Sequence, residues 1–272
     1  MTRFRSVLFV PCGNARALAK AAEMRCDALI FDLEDAVSDG ERDGALTGLA
    51  EVLRGDFVAP TVLVRIHPQY LNAIHRALRD CRIDGIVVPK VGGTEDVRGV
   101  MAAWPKMPLW AMIETAEGVA NLWEIAGLPL KGLIAGPNDL RKDLKTRAMA
   151  GRGDILFALS QVVLYGRAHR KVVLDGVYNA YRDEAGFAAE CEQGRSLGFD
   201  GKTLIHPAQI GPCERAFGFS EAEIVWAQAV VAAFEGSEAG IVSVEGEMVE
   251  RLHLAQALEI LESVQRSADF AD

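Results

Sequence analysis

Apolar residues fall along this chain in short unbroken runs, separated by longer stretches where they recur every three or four positions. That is the pattern of strands buried on both faces alternating with amphipathic helices. Eight runs read as strands: Ser6 to Val10, Ala28 to Phe31, Thr61 to Arg65, Gly85 to Val88, Pro108 to Ile113, Gly132 to Ala135, Val172 to Asp175 and Gly201 to Leu204. Helical spacing fills the gaps, for example over Ala15 to Met24, Arg42 to Leu53, Leu71 to Cys81, Ile155 to Arg167 and Glu184 to Leu197. Strand starts lie about 22 to 40 residues apart, the length of a βα unit.

Eight such units predict an α/β protein with a closed (β/α)8 TIM barrel. An open doubly wound sheet fits less well, because no Gly-x-Gly-x-x-Gly follows the first strand. The active site of such a barrel lies at the C-terminal ends of its strands, where Pro11, Asp32, Arg65, Pro89-Lys90, Glu114, Gly136 to Asp139, Asp175 and His206-Pro207 fall. After the eighth unit, Ser220-Glu221-Ala222-Glu223 is a capping box that starts a helix running to about Phe234. Then come Gly240 to Val244, a Glu245-Gly246 turn, Glu247 to Val249, and a last helix from about Leu252 to Gln265. The expected organisation is a catalytic barrel over residues 1–235 and a C-terminal appendix over 236–272. The appendix is too short for a core of its own, so it is expected to serve as a lid or oligomerisation element, packed on the barrel mouth or a neighbouring subunit.

With 272 residues, 50% hydrophobic and 25% charged, the chain has the makeup of a globular protein. A net charge of −9 without clustered Lys and Arg argues against nucleic-acid and anionic-membrane partners. Cys12, Cys26, Cys81, Cys191 and Cys213 form no Cys-x-x-Cys pair and suggest neither a disulfide framework nor a structural zinc site. The N-terminus has no apolar signal region, and no run of about 18 apolar residues occurs, so a cytoplasmic protein is expected.

Two acidic motifs follow apolar runs: Glu114-Thr115-Ala116-Glu117-Gly118 and Gly136-Pro137-Asn138-Asp139-Leu140. On neighbouring strands, Glu114 and Asp139 can converge, and two hard carboxylate oxygens without Cys or paired His favour Mg²⁺ or Mn²⁺ over zinc. Water and a chelating substrate would complete the shell. The same positions also suit a plainer role, with Glu114 capping the following helix and Asp139 its own. Arg65 ends the third strand, where a buried guanidinium calls for an anion: a substrate carboxylate or enolate, or Asp32, Glu34 and Asp35. The three acids of Asp32-Leu33-Glu34-Asp35 in turn call for Arg65, Arg5 or Lys90. Arg16 and Lys20 share a helix face, which suits the phosphates of a nucleotide-bearing ligand or simply solvent. His206 is either a site residue or structural, and Arg152-Gly153-Asp154 reads as accidental. The commonest hydrolase, metalloprotease and P-loop motifs are missing, which leaves metal-assisted carbon chemistry.

In order and nearly end to end, the motifs resemble the citrate lyase beta subunit-like (CitE-like) proteins of the HpcH/HpaI aldolase superfamily. The resemblance is carried by Arg5-Ser6-Val7-Leu8-Phe9-Val10-Pro11, Asp32-Leu33-Glu34-Asp35-Ala36-Val37, Val64-Arg65-Ile66, Pro89-Lys90-Val91, Ile113-Glu114-Thr115-Ala116-Glu117-Gly118, Asp139-Leu140, Asp175-Gly176-Val177-Tyr178, Gly198-Phe199-Asp200-Gly201-Lys202 and Ile205-His206-Pro207-Ala208-Gln209-Ile210. It implies a homotrimer or homohexamer, Mg²⁺ on Glu114 and Asp139, and substrate contact by Arg65. It also implies coenzyme A near Arg16 and Lys20. The implied reaction is cleavage or formation of a 3-hydroxyacyl-CoA such as malyl-CoA, citramalyl-CoA or citryl-CoA, giving acetyl-CoA or a homologue and a 2-oxo acid. A malyl-CoA-type thioesterase, or a subunit working with an acyl carrier, fits the same residues. The resemblance places an acid/base carboxylate on a C-terminal lid. Here that position is Glu250 of Gly246-Glu247-Met248-Val249-Glu250, one methylene longer than the Asp of related lyases. Asn138, His67 and Cys12-Gly13 also depart from the pattern.

Overall fold

All eight apolar runs are strands in the computed structural model, which describes residues 3–35, 37, 39–237 and 239–269; Ala36 of the acidic motif lies outside the described residues. The strands are β1 (Ser6–Pro11), β2 (Ala28–Asp32), β3 (Thr61–Arg65), β4 (Gly85–Val88), β5 (Leu109–Ile113), β6 (Gly132–Ala135), β7 (Val172–Asp175) and β8 (Gly201–Leu204). They pair in parallel in chain order, and β1 closes on β8 through Ser6↔Lys202, Val7↔Thr203 and Leu8↔Leu204, giving the expected (β/α)8 barrel.

Strand side chains alternate between the barrel interior and the helical layer. The interior holds Phe4, Val7, Ala28, Ile30, Leu63, Val87, Trp110, Met112, Ile134 and Leu174, while Leu29, Phe31, Val62, Val64, Leu133 and Val173 pack outward in a larger apolar cluster. Trp110 fills the base of the interior edge-on to Phe4, at 4.9 Å between ring centroids. Gly132 makes this possible, since a Cβ there would lie 2.4 Å from the Trp110 ring.

The described chain forms two compact units, Met1–Phe217 and Gly218–Asp272. The helix Glu221–Phe234, placed with the barrel by the sequence pattern, belongs to the second unit. Its apolar face packs with the hairpin of β9 (Ile241–Val244) and β10 (Glu247–Glu250) and with the helix Arg251–Asp269, burying Ala227, Val230, Phe234, Val244, Val249, Ala257 and Ile260. The C-terminal segment thus gains a small core of its own by taking in that helix. Ser220 and Glu223 form the expected capping box, and Glu245 and Gly246 both have positive φ, as a two-residue hairpin turn requires. The stretch Pro207–Phe234 is apolar enough over an 18-residue window, at a mean hydropathy of 1.2, to meet the length and composition of a membrane span. It is not one continuous helix, because the chain breaks helical structure before the Ser220 cap.

The alternation also sends Asp175 outward rather than to the mouth. Leu174 points in, so Asp175 and its neighbour Lys202 face the helix Glu184–Leu197, where both are fully buried. Lys202 Nζ donates to Asp175 Oδ2 (2.9 Å) and Glu190 Oε1 (2.8 Å). Arg152 Nη1 donates to Asp175 Oδ1 (2.6 Å), and its Nε to Gln193 Oε1 (2.8 Å). Burial pushes the Asp175 carboxyl up, but Lys202 and Arg152 outweigh it and hold the group below the usual carboxylate range. Arg152 of the Arg152-Gly153-Asp154 tripeptide is locked into this network, while Asp154 accepts from Arg141 Nε at 2.7 Å, so both ends have structural roles. Replacing Lys202 with Ala leaves two acids buried beside one cation. The expected loss is about 3–5 kcal/mol of unfolding free energy by denaturant titration, and a loss under about 1 kcal/mol would show that the pair is replaceable.

Candidate metal and substrate site

The same alternation gathers the mouth. In β2, β3 and β5, the inward positions run Ile30–Asp32, Leu63–Arg65 and Trp110–Met112–Glu114, so each strand's last inward place holds a charged residue. A cavity of ≈ 290 Å³ opens there, lined among others by Asp32, Asp35, Arg65, Glu114, Gly136 and Asp139.

Neither Glu114 nor Asp139 serves as a helix cap. The helix Ala116–Ala120 is capped by Thr115, whose hydroxyl accepts from the Gly118 N–H. The helix Pro137–Leu144 begins at Gly136 without any side-chain cap. Glu114 is 1% exposed and its Oε1 accepts from the Lys90 backbone N–H at 2.7 Å. Its Oε2 lies against Gly136, where a Cβ would come within 2.3 Å, so only glycine leaves room for the carboxylate. Burial lifts the Glu114 carboxyl to about 7, against the pull of the Lys90 N–H and Arg65, with Glu34 and Asp139 adding to the rise.

Arg65 is held in orientation by acids. Its Nε and Nη2 donate to the two Asp32 oxygens, both at 2.7 Å, and Nη1 lies 3.0 Å from Glu34 Oε2 and 3.8 Å from Met112 Sδ. Lys90 Nζ bonds to Glu34 and, at 3.2 Å, to Asp35 Oδ1. Arg5 takes no part, pairing with Asp27 at 3.0 Å. Burial pushes Glu34 up more than Arg65 and Lys90 bring it down, whereas for Asp35 the two cations outweigh burial and hold it low. Asp32, Glu34, Asp35, Glu114 and Asp139 thus surround the mouth with only Arg65 and Lys90 against them among the described residues of this cluster. That excess suits a divalent cation. Among the described residues no group of three or more His, Cys, Asp or Glu is arranged to hold a metal. Two carboxylates, with the rest of the shell left to water and substrate, are a donor set that Mg²⁺ accepts.

The other candidates divide. Arg16 and Lys20 stand exposed on the helix Ala15–Ala21, on the side opposite buried Leu18. His206 is structural: its Nδ1 accepts from Ala208 N at 3.2 Å and its ring stacks on Tyr181 at 4.5 Å. Glu250 ends β10 in the second unit as an exposed residue, its N–H donating to His253 Nδ1 at 2.9 Å. The patterning did not reveal the left-handed backbone of Lys90, at φ 49°. Nor did it reveal the reciprocal amide pair in which Asn138 and Asn179 donate to each other at 3.2 and 2.8 Å across the rim.

Residues 5–207 match the family described as HpcH/HpaI aldolase/citrate lyase. The chain is 43% identical over 275 residues to a (3S)-malyl-CoA thioesterase of Cereibacter sphaeroides, covering 98% of this chain and 96% of that protein. It is 32% identical over 278 residues to the citrate lyase subunit beta of Leuconostoc mesenteroides subsp. cremoris, covering 94% and 92%. Among solved structures it is similar to CitE from Mycobacterium tuberculosis in complex with magnesium, acetoacetate and coenzyme A, with a TM-score of 0.81, 27% identity, and 96% and 97% of the two chains covered.

A cation held by Glu114 would compete with the proton there. With its pKa raised to about 7, the stability this group lends the metal-free protein is complete below the ordinary carboxylate pKa and is lost as pH rises through 7. Cation affinity runs the other way. Calorimetry should find Mg²⁺ affinity flat above about pH 8 and falling about tenfold per unit below about pH 6. An affinity independent of pH would contradict the buried-carboxylate site. Gly136→Ala, which crowds Oε2, should weaken binding at least about tenfold at any pH.

Proposed function

Because the chain belongs to the HpcH/HpaI aldolase/citrate lyase family, we propose that it is a Mg²⁺-dependent carbon–carbon lyase. Its substrate in this reading is a 3-hydroxyacyl-CoA of the malyl-CoA class, cleaved to acetyl-CoA or a homologue and a 2-oxo acid. The observation that carries the reading is the convergence of Glu114, Asp139 and Arg65 on one cavity. Support for the ligands comes from the similar CitE structure, which holds magnesium, acetoacetate and coenzyme A.

In this reading Glu114 and Asp139 hold the ion, which would act as a Lewis acid on the carboxylate and adjacent hydroxyl oxygen of the substrate. The hydroxyl proton leaves, the bond between the carbinol carbon and the thioester α-carbon breaks, and its electron pair passes into the thioester as an enolate. Arg65, fixed in orientation by its two bonds to Asp32, stabilises that negative charge. Glu250 takes the hydroxyl proton and returns one to the α-carbon. Arg16 and Lys20 offer exposed charge for the coenzyme A phosphates. A homotrimer or homohexamer belongs to the same reading, supported by exposed Met248 (79%) and Leu252 (61%) in the second unit. So does a cytoplasmic location, supported by five free cysteines.

A second reading, hydrolysis of the malyl-CoA thioester at the same site, is favoured by the 43% identity to a (3S)-malyl-CoA thioesterase. There water attacks the thioester carbonyl and the thiolate leaves, so the carbon skeleton stays whole.

One experiment tests both. The protein is incubated with Mg²⁺ and either malyl-CoA or a pair made of acetyl-CoA or propionyl-CoA with glyoxylate, pyruvate or oxaloacetate, and products are identified by mass. A condensed acyl-CoA supports the lyase, and free CoA without acetyl-CoA from a malyl-CoA substrate supports the thioesterase. No turnover with any pair, with or without metal, contradicts the lyase. Arg65→Lys keeps the charge but loses the fork that grips Asp32. It should lower kcat about a hundredfold, an effect of about 3 kcal/mol, and near-normal turnover would remove Arg65 from charge stabilisation.

A further inference from the structure

We propose that Lys90 is the positioning residue of the cation site, and that its left-handed backbone decides which oxygen of Glu114 meets the metal. The proposal rests on the divalent-cation reading above.

β4 leaves the barrel at Val88, and the next two residues do something an extended strand does not. In a regular strand, successive N–H groups point to opposite sides. Here the N–H of Lys90 donates to Glu114 Oε1 at 2.7 Å, and the N–H of Val91 donates to the Met112 carbonyl at 3.2 Å. Both partners belong to β5 and its end, so two consecutive N–H groups face the same neighbour. A residue with positive φ between extended segments allows that, because it turns one peptide plane back toward its predecessor. Lys90 supplies it at φ 49°.

The consequence falls on the carboxylate. With Oε1 engaged by the Lys90 N–H, Oε2 is the oxygen that lies along Gly136, and Glu114, Gly136 and Asp139 line the same cavity. Lys90 thus orients Glu114 as the hydrogen-bond partner of a metal-binding side chain often does.

A left-handed backbone is unfavourable for an L-residue with a side chain, so something must hold it. The ammonium does: Nζ bonds to Glu34 and to Asp35, at 3.2 Å for the latter. These contacts also occupy the two acids that would otherwise compete with Glu114 and Asp139 for the ion. One residue therefore aims the ligand with its main chain and restrains the competing acids with its side chain.

Removing a positive charge near a cation site should by itself tighten cation binding. Positioning predicts otherwise, and the two are separable by calorimetric Mg²⁺ titration of the full chain. Lys90→Arg keeps the charge and should bind Mg²⁺ within about threefold of wild type. Lys90→Gly adopts positive φ freely and should bind at least as tightly as wild type. Lys90→Ala has neither the charge that holds the turn nor the freedom to adopt it, and should bind about tenfold more weakly than Lys90→Gly. Lys90→Gln, with the same backbone preference, replaces Lys90→Ala should the latter fail to fold. Ala or Gln binding as tightly as Gly would overturn the role of Lys90 while leaving the cation site standing. A wild type that binds no Mg²⁺ would overturn both.

Discussion

The mouth of this barrel gathers more negative charge than its own side chains neutralise, and the arrangement around it follows from that excess. Among the described residues of this cluster, Asp32, Glu34, Asp35, Glu114 and Asp139 meet only Arg65 and Lys90. Carboxylates gathered around one cavity repel one another unless a cation stands among them. Burial lifts the Glu114 carboxyl to about 7, and the neighbouring Glu34 and Asp139 add a smaller share to that rise. A divalent ion relieves the repulsion directly. Arg65 and Lys90 are already paired with Asp32, Glu34 and Asp35, three acids against two cations, so Glu114 and Asp139 only add to the excess.

A second ion network in the same barrel shows what a purely structural cluster looks like. Between β7, β8 and the helix Glu184–Leu197, Asp175 and Glu190 face Lys202 and Arg152, two charges against two. That network is shut away from the mouth, since Asp175 and Lys202 are both fully buried and point to the helical layer. Its charges satisfy each other, which fits a role in fixing β7 and β8 and calls for no ligand. The mouth cluster differs in its charge: it does not balance.

Much of this was legible in the sequence, for a physical reason. Strands buried on both faces must be apolar throughout, so the eight runs stand out, and five of them, beginning with Thr61–Arg65 and Gly85–Val88, have the bounds the pattern predicts. The two acidic strand ends were likewise visible, but their alternative role as caps was not decidable until Thr115 and Gly136 proved to occupy those places. Asp175 was misplaced because it, too, ends a strand. Its direction depends on the parity of Leu174, which an unbroken apolar run conceals. The boundary before the C-terminal segment moved from residue 235 to 217 because the apolar face of the helix Glu221–Phe234 reads the same whichever core it joins. Lys90 was hidden for a different reason: nothing in Pro89-Lys90-Val91 announces a left-handed residue, since lysine has no preference for that conformation.

The most direct test of the cation centre is crystallographic. Crystals of the protein soaked in Mn²⁺, a stand-in for Mg²⁺ with anomalous scattering, should show one anomalous peak about 2 Å from Glu114 Oε2 and from an Asp139 carboxylate oxygen. A peak among Asp32, Glu34 and Asp35 instead, or no peak at the mouth at all, would contradict the account.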